Sequence, residues 1–288
     1  MENKSRRQFL KVAGVVSAAS VISNIGMAKP ASAMSGEKNT RSWPVKLGVA
    51  SYSLRMLSRA QAIAVTNELR TPFICIKSHH LPYYLSKAEL QKGRAEFEKA
   101  GLKIVGGGNN NIREDTDEHV RMFFEYAKNA GIPLLVIAPT TTNLKRIEKF
   151  VIKYDIKVAI HNHGPEDKYF PAPSDALKLI KDMDPRFGLC VDIGHTTRTG
   201  ADVVQEIADA GDRVLDLHMK DLNDLMDKRS QCVVGEGKMP IVEIFQQLKK
   251  MKFSGYANLE FEIDKNNPAN GMKQSFAYMR GVLAGLEA

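Results

Sequence analysis

Eight short apolar segments constrain the fold of this chain more than any other feature of its sequence. Each has the length of a strand, and a segment with helical periodicity follows it. Continuous apolar runs such as Leu134–Ala138 are typical of parallel strands buried on both faces. Eight strands alternating with eight helices predict an α/β fold with a single (β/α)8 TIM barrel. The predicted strands are Val45–Ala50, Phe73–Lys77, Lys103–Gly107, Leu134–Ala138, Lys157–His161, Gly188–Asp192, Val214–Met219 and Tyr256–Glu260.

Local signals place the predicted helices between these strands. Ser86-Lys87-Ala88-Glu89 is a capping box, which predicts a helix that runs to Ala100 and stops at Gly101. A doubly wound open sheet is the competing fold, but no glycine-rich dinucleotide fingerprint follows the first strand. The other helices are predicted to start near Arg59, Thr116, Thr142, Ser174, Ala201, Ile241 and Pro268.

The first 33 residues have the pattern of a twin-arginine (Tat) signal peptide. Arg6 and Arg7 precede a weakly apolar segment, Val12–Met27, and a small-x-small cleavage motif at Ala31–Ala33. At 16 residues, the apolar segment is shorter than the ~20 needed to span a bilayer, so no stable membrane insertion is expected after removal of the signal. We therefore expect export through the Tat machinery to the periplasm, and a catalytic barrel domain over residues 34–288.

Charge and cysteine content exclude some classes of function. Residues 34–288 contain 36 Lys and Arg against 32 Asp and Glu, a net charge of +4. Such a small positive excess is not typical of nucleic-acid-binding proteins. Cys75 and Cys190 lie in apolar runs and are predicted to be core residues, whereas a disulfide of Cys232 is left open. The sequence also leaves a homo-oligomer open, since helix faces such as Val242–Leu248 could pack internally or against another subunit.

Polar side chains follow the predicted strands where each strand ends. Six of the seven histidines lie there, and the seventh, His119, lies on a predicted helix. The carboxyl ends of barrel strands converge on one mouth, so imidazoles and carboxylates gathered there predict a divalent-metal site. Mixed nitrogen and oxygen donors suit Mn, Co, Zn, Fe or Ni better than Ca. After the third strand, Gly106–Gly108 and Asn109–Asn111 could form an anion-binding loop or a mobile turn.

From Pro44 onward the chain resembles the xylose-isomerase-like TIM barrel superfamily, and within it the sugar phosphate isomerase/epimerase group. The resemblance implies one Mn-like ion held by a Glu, an Asp, a His and a second Glu from strands five to eight. Asp192, His218 and Glu260 match three of these ligands, whereas His161 stands where the first Glu is expected. The segments that carry the resemblance are Ile160–Gly164, Cys190–His195, Leu217–Asp221, Gly235–Gly237 and Leu259–Glu262.

The histidine at position 161 changes the expected chemistry. In the epimerases that the chain resembles, the two glutamates flank the substrate and exchange protons with carbon on both faces. A metal-bound imidazole is a poor replacement for a carboxylate base, so two-sided exchange is not expected here. One-sided removal of a proton next to a carbonyl remains, as in relatives that eliminate the aglycone from 3-keto-glycosides. We therefore favour a 3-keto-glycoside lyase acting on a small carbohydrate.

The resemblance and the strand ends together suggest a role for each candidate residue. The predicted metal ligands are His161, Asp192, His218 and Glu260, and Glu260 is also the predicted base. The other predicted catalytic residues are Lys220, His195 and His80, and the predicted substrate-binding residues are His163, Lys77 and Glu236. For Lys220, a salt bridge to Asp221 or Glu262 is the alternative to a role with the substrate.

Three other functions remain open on the sequence. A sugar isomerase or epimerase would use the same metal and base. A non-catalytic sugar-binding barrel would explain the missing glutamate, but the retained Asp192, His218 and Glu260 argue against it. A phosphodiesterase-like nuclease would need further metal ligands at the third strand, where this chain has glycines and asparagines.

Overall fold

A computed structural model describes residues 45–287, which form a closed barrel of eight parallel strands. Each barrel strand pairs with its neighbours in sequence, and the last strand pairs with β1 to close the barrel. Two further strands, β8 and β9, form a small antiparallel ribbon beside the mouth. The strands are β1 Lys46–Ala50, β2 Phe73–Ile76, β3 Lys103–Asn110, β4 Leu134–Ile137, β5 Lys157–His161, β6 Phe187–Asp192, β7 Val214–Met219, β8 Asp221–Leu222, β9 Gln231–Cys232 and β10 Tyr256–Leu259.

Helices cover the outside of the barrel and begin close to the predicted positions. Ser86 caps the second helix as predicted: its Oγ accepts from the Glu89 N–H, and the Glu89 carboxylate accepts from the Ser86 N–H. The helices are α1 Arg59–Glu68, α2 Lys87–Lys99, α3 Asp117–Ala130, α4 Leu144–Tyr154, α5 Pro173–Ile180, α6 Ile193–Arg198, α7 Val203–Ala210, α8 Ile241–Lys250 and α9 Ala269–Glu287. The predicted (β/α)8 barrel is confirmed.

Two features near the mouth differ from the predictions. The short helix α6 was not predicted, and it starts directly after β6 because the Asp192 carboxylate caps the N–H of His195 at 2.8 Å. The glycine-asparagine segment is neither an anion-binding loop nor a turn, because β3 continues through it to Asn110. The Asn110 amide donates to the carbonyls of Gly107 and Val136, which fastens this end of β3 to β4.

The apolar core lies between the barrel and its helices, and its largest buried side chains come from helices, such as Phe97 and Phe124, and from strands, such as Phe187. All three cysteines, Cys75, Cys190 and Cys232, are buried and free. The core prediction for Cys75 and Cys190 is confirmed, and Cys232 forms no disulfide within this chain. None of the described helices is long and apolar enough to cross a membrane. The predicted signal peptide, residues 1–33, lies outside the described residues.

Candidate active site

Four buried side chains bring their donor atoms together at the carboxyl ends of the strands. Nε2 of His161 lies 2.9 Å from Nδ1 of His218 and 3.5 Å from Oδ2 of Asp192. Nδ1 of His218 lies 3.3 Å from Oε2 of Glu260. Each of the four residues offers one donor atom that lies within 4.8 Å of the donor atoms of the other three. The structure therefore brings all four predicted metal ligands together.

Strand register places these four side chains at one level of the barrel. Asp192 ends β6 and pairs with His218 on β7, so that their side chains lie next to each other. The Glu260 N–H donates to the carbonyl of Met219 at 2.9 Å, which extends the pairing of β10 with β7 by one residue. His161 ends β5 on the other side of β6.

Lys220 lies at the centre of the acidic side of this cluster. Its Nζ is 2.8 Å from Oδ2 of Asp192, 2.9 Å from Oε2 of Glu260 and 3.1 Å from Oε1 of Glu262. Of the two salt-bridge partners expected from the sequence, Lys220 pairs with Glu262 and not with Asp221. The Asp221 carboxylate instead accepts from the backbone N–H groups of Gly235, Gly237 and Met239.

Burial and charge fix the protonation states in the cluster. Burial lowers the Lys220 pKa, but Asp192 and Glu260 raise it by more, to well above its usual value. For Asp192 and Glu260 burial raises the pKa, but the Lys220 ammonium brings both pKa values well below the usual range. The ammonium and both carboxylates are therefore charged at neutral pH.

The pKa values of the two imidazoles shift in opposite directions. Burial lowers the pKa of His161 well below its usual value, so the His161 ring is neutral at neutral pH. Burial also lowers the pKa of His218, but Glu260 raises it by more, so the net direction is upward. The 2.9 Å contact between Nε2 of His161 and Nδ1 of His218 is of hydrogen-bond length.

A layer of polar side chains lies directly beneath the four donors inside the barrel. Asp216 accepts from the Asn258 amide at 2.7 Å, and the Cys190 thiol lies 3.6 Å from the Asp216 carboxylate. Burial raises the pKa of Asp216 to about 7 and raises the pKa of the Cys190 and Cys75 thiols. At neutral pH the two thiols of this layer are uncharged, whereas Asp216 is about half ionised.

A cavity of about 260 Å³ opens from the cluster to solvent at the barrel mouth. Of the sequence-predicted residues, it contains Lys77, His161, His163, His195 and Glu260. Sequence reasoning missed Tyr52, Asn109 and Asn111, which line the same cavity and lie at or just after the ends of β1 and β3. The position of Asn109 and Asn111 after a predicted strand was the signal that could have found them. Glu262 completes the wall.

His195 lies where the cavity meets a second pocket. Nη1 of Arg198 lies 3.0 Å from Nδ1 of His195, which makes Nδ1 the acceptor and leaves the ring proton on Nε2. Burial lowers the pKa of His195 to about 4, so the ring is neutral at neutral pH. His195 can therefore donate an N–H to a substrate oxygen.

Lys77 and His163 lie on the other side of the cavity. The Lys77 ammonium donates to the carbonyl of Asn109, and burial lowers the Lys77 pKa. His163 contacts the Asn109 amide at 2.8 Å through Nε2 and lies 3.1 Å from Asp167 through Nδ1. Both side chains are half-buried, which is suitable for contact with a ligand.

Two sequence-predicted residues lie away from this cavity. His80 is buried, with Nδ1 3.1 Å from Oγ of Ser51 and Nε2 3.0 Å from the carbonyl of Leu54. Both ring nitrogens contact the turn that follows β1, Ser51–Leu54. This placement gives His80 a packing role and not that of an acid. Glu236 is exposed on the Gly235–Gly237 loop and does not line the cavity.

A larger cavity, of about 740 Å³, lies at the opposite end of the barrel. Its walls include Lys103, Lys157, Val214 and Tyr256, which are the first residues of their strands. Barrel enzymes carry their chemistry at the carboxyl ends of the strands. We therefore assign the candidate active site to the smaller cavity, which contains the titratable cluster.

The donor atoms of the cluster fit a single divalent transition metal. Oδ2 of Asp192 is completely buried, and it accepts no hydrogen bond from residues 45–287 although Lys220 is within ion-pair distance. Two imidazole nitrogens and two carboxylate oxygens form a donor set that Mn, Co, Zn, Fe or Ni accepts. Nδ1 of His161 and Nε2 of His218, on the far sides of the rings, also have no partner among the described residues.

Comparison with known proteins agrees with this architecture. In a curated protein, an uncharacterized one from Methanocaldococcus jannaschii, 123 residues match at 27% identity, 41% of each chain. The chain thus spans about two fifths of the length of that relative.

Solved structures match over most of the chain. An uncharacterized protein of Parabacteroides distasonis is 26% identical with a TM-score of 0.65, over 83% of this chain and 99% of that one. The 3-keto-D-glucoside 4-epimerase of E. coli is 15% identical with a TM-score of 0.68, over 82% and 99%. The probable 3-DHS dehydratase AsbF of Bacillus anthracis is 14% identical with a TM-score of 0.67, over 82% and 99%.

The family assignment rests on a longer match in sequence. The sequence pattern of the xylose isomerase-like TIM barrel family matches residues 70–282, from just before β2 into α9. That segment contains every member of the four-residue cluster. The chain belongs to the xylose isomerase-like TIM barrel family.

Proposed function

We propose that this protein is a metal-dependent carbohydrate enzyme that removes a proton from the carbon next to a carbonyl, and that it is a 3-keto-glycoside lyase. The observation that carries the proposal is the one-sided distribution of carboxylates in the cavity wall. Glu260 and Glu262 both follow β10, whereas the side formed by the end of β5 presents His161 and His163. One face of a substrate would meet a carboxylate base and the other face would meet imidazoles.

His161, Asp192, His218 and Glu260 would hold one divalent ion, which when bound would polarise a carbonyl oxygen as a Lewis acid. Glu260 is ionised, because Lys220 lowers its pKa, and it is therefore in the form that accepts a proton from C2 of a 3-keto sugar. Lys220 is fully protonated and can stabilise negative charge that develops on the substrate.

Elimination also needs a proton for the departing oxygen. The bond from C1 to the aglycone oxygen breaks as the electrons of the C2–H bond form the C1–C2 double bond. Lys77 fits the role of acid better than His80, because its ammonium lines the cavity and burial lowers its pKa. His195 would hold a sugar hydroxyl through Nε2–H.

A sugar isomerase or epimerase is the second candidate. It is favoured by the fold shared with a protein named 3-keto-D-glucoside 4-epimerase. Deuterium incorporation distinguishes the two reactions: in D₂O an epimerase returns labelled sugar, whereas a lyase releases the free aglycone and a dehydrated sugar. A 3-keto-β-glucoside with a chromogenic aglycone serves both assays. Recovery of labelled sugar without aglycone would overturn the lyase in favour of the epimerase.

The third candidate is a non-catalytic sugar-binding barrel. Glu260→Gln separates it from both enzymes, since a binding protein keeps its ligand affinity whereas an enzyme loses turnover. The metal content of the purified protein should be measured first, beside an Asp192→Ala/His218→Ala variant. About one transition metal per chain, absent from the variant, is expected. A wild type that takes up no Mn, Co or Zn would overturn the metal-dependent reaction.

We also propose that residues 1–33 direct the protein through the Tat machinery to the periplasm. Support comes from the order of charged, apolar and small residues in that segment. Changing both Arg6 and Arg7 to Lys should leave the protein in the cytoplasm, which fractionation of the cells would reveal.

A further inference from the structure

A second cavity, of about 240 Å³, lies beside the candidate active site. The two cavities share His195 and Glu262 in their walls, so they are adjacent. Charged and titratable side chains form much of the second wall. They are His195, Arg198, Lys220, Lys228, Arg229 and Glu262.

Positive charge exceeds negative charge in this second cavity. Four of these six side chains are cations and only Glu262 is a carboxylate. Lys220 is balanced by Asp192 and Glu260 as well as Glu262. The carboxylates that pair with the other three cations, Glu166 and Asp227, are not part of this wall.

Arg198 and Lys228 share a single carboxylate that lies outside this wall. Nη2 of Arg198 contacts Oε1 of Glu166, and Nζ of Lys228 lies 3.6 Å from the same oxygen. The Arg198 hydrogen bond lowers the pKa of Glu166, so this half-exposed carboxylate is ionised. Within the described residues, the only ion-pair partner of Arg229 is Asp227, two residues away and at the surface.

Arg198 itself is built into the fold. Its side chain is only 4% exposed, and Nε has no hydrogen-bond partner among residues 45–287. A buried guanidinium normally has its N–H groups satisfied, because leaving a buried charged donor unpaired is costly. Nη1 faces His195 and Nη2 pairs with Glu166, so an anion that displaces Glu166 would meet two donors, Nε and Nη2. This planar arrangement suits an anion that accepts two hydrogen bonds in parallel.

The loop that carries Lys228 and Arg229 is held over the cavity by specific contacts. It connects β8 to β9, and the Gln231 amide at its end donates to the carbonyl of Glu260 at 2.7 Å. The same side chain accepts from the Glu262 N–H at 2.7 Å. Lys228 and Arg229 therefore belong to a loop whose end is anchored to the end of β10, where the proposed base lies.

We infer that this cavity binds an anionic substituent of the substrate, a carboxylate or a phosphate, which replaces Glu166 on Arg198 and Lys228. The inference rests on the proposed function, because it names the substrate class of the same site. The sugar ring would extend past His195 toward Glu260, with its anionic group between Arg198, Lys228 and Arg229. An acidic sugar would thus be preferred to its neutral counterpart.

Calorimetric titration of the full-length protein with sodium D-glucuronate, D-glucose 6-phosphate and D-glucose tests the inference. At least one of the two anions should bind more tightly than glucose, and its affinity should fall as the NaCl concentration rises. The carboxylate and phosphate arms show which anion is preferred. Binding of both anions no tighter than that of glucose would overturn the inference.

Variants with opposite expected effects sharpen the test. Glu166→Gln should strengthen anion binding because it frees Arg198 and Lys228, whereas Lys228→Ala and Arg229→Ala should each weaken it roughly two- to five-fold. Glu243→Gln and Lys145→Ala are the matched controls, since both side chains are exposed and absent from the cavity wall. If Glu166→Gln and Glu243→Gln have equal effects, the change in affinity is an effect of net charge alone and the inference is overturned.

Binding at equilibrium requires no turnover, so the two proposals can fail separately. A protein that binds the anions as described but releases no aglycone would overturn the proposed reaction and support the subsite. A protein that cleaves neutral 3-keto-glycosides, and whose anion affinity is unchanged in Glu166→Gln, would overturn the subsite alone.

Discussion

The ammonium nitrogen of Lys220 lies 2.8 Å from Oδ2 of Asp192, the same oxygen that faces the predicted metal position. It also lies 2.9 Å from Oε2 of Glu260. Lys220 and a divalent cation would therefore compete for the same two carboxylates. A bound metal must share these oxygens with the ammonium or move it toward Glu262, which is 3.1 Å away.

Replacing Lys220 by Met should separate metal affinity from catalysis. The variant loses a cation that competes for two carboxylates, so its affinity for Mn²⁺ or Co²⁺ should rise on the order of tenfold, the equivalent of one charge-assisted hydrogen bond. Turnover should fall sharply, because the group that stabilises developing negative charge is gone. Metal titration by calorimetry and an aglycone-release assay measure the two effects.

Lys220→Arg is the control for this pair of effects, because it keeps the charge and should keep a metal affinity close to that of the wild type. A Lys220→Met variant that binds Mn²⁺ more weakly than the wild type would contradict the competition between ammonium and metal.

His161→Glu should make the stability of the protein more dependent on metal. The new carboxylate would lie in a buried site close to Asp192, whose Oδ2 is 3.5 Å from Nε2 of His161 in the present structure. Two like charges there destabilise the metal-free protein, and a divalent ion relieves the repulsion. The rise in Tm on adding MnCl₂ should exceed that of the wild type and of His161→Gln.

The same variant tests the explanation for one-sided chemistry. If the missing glutamate prevents two-sided proton exchange, His161→Glu should gain epimerase activity, measured as deuterium incorporation into recovered sugar. No gain in a folded, metal-loaded variant would contradict that explanation.

The strands and the metal-ligand cluster were predictable from sequence because both depend on local patterns. A parallel strand buried on both faces needs a short apolar run, and the residue after the run is forced to the mouth of the barrel. The strand ends therefore predict imidazoles and carboxylates gathered at the mouth, whereas the choice of His161, Asp192, His218 and Glu260 as metal ligands rests on the resemblance to the family.

Other features depend on which groups meet in space. Lys220 could have paired with Asp221, its neighbour in sequence, but Asp221 is occupied by three backbone N–H groups of the Gly235–Met239 segment. The extension of β3 to Asn110 likewise depends on a hydrogen bond to β4. These outcomes are decided by tertiary contacts that composition and periodicity do not encode.

His80 should make stability fall at mildly acidic pH. Burial lowers the pKa of His80 below its ordinary value of 6.5, so the unfolded chain gains a proton at a higher pH than the folded protein does. The unfolded state therefore binds more protons below about pH 6.5, and the free energy of unfolding decreases as the pH falls. At pH 5 the loss from this group is at most about 2 kcal/mol.

The measurement for His80 is urea unfolding between pH 5 and pH 7. Because His161 and His195 also have lowered pKa values, the informative quantity is the difference in slope between the wild type and His80→Gln. The variant should lose less stability on acidification. Identical slopes would mean that His80 takes up its proton equally in the folded and unfolded states.

Gly108 lies in β3 beside the wall of the active-site cavity, and we expect it to tolerate no side chain. Its φ is +152°, and a Cβ built there would lie 2.2 Å from the carbonyl oxygen of Val136 on β4. The backbone oxygen cannot move without disturbing the strand pair, so Gly108→Ala should destabilise the protein by about 2–4 kcal/mol. Gly281 in α9 is the matched control, since a Cβ there meets nothing within 4 Å. Gly281→Ala should stabilise the protein by roughly 0.5–1 kcal/mol, because alanine favours a helix over glycine. Urea unfolding of both variants measures the difference in their stability. If Gly108→Ala is as stable as Gly281→Ala, β3 does not approach β4 as closely as the shape of the cavity wall requires.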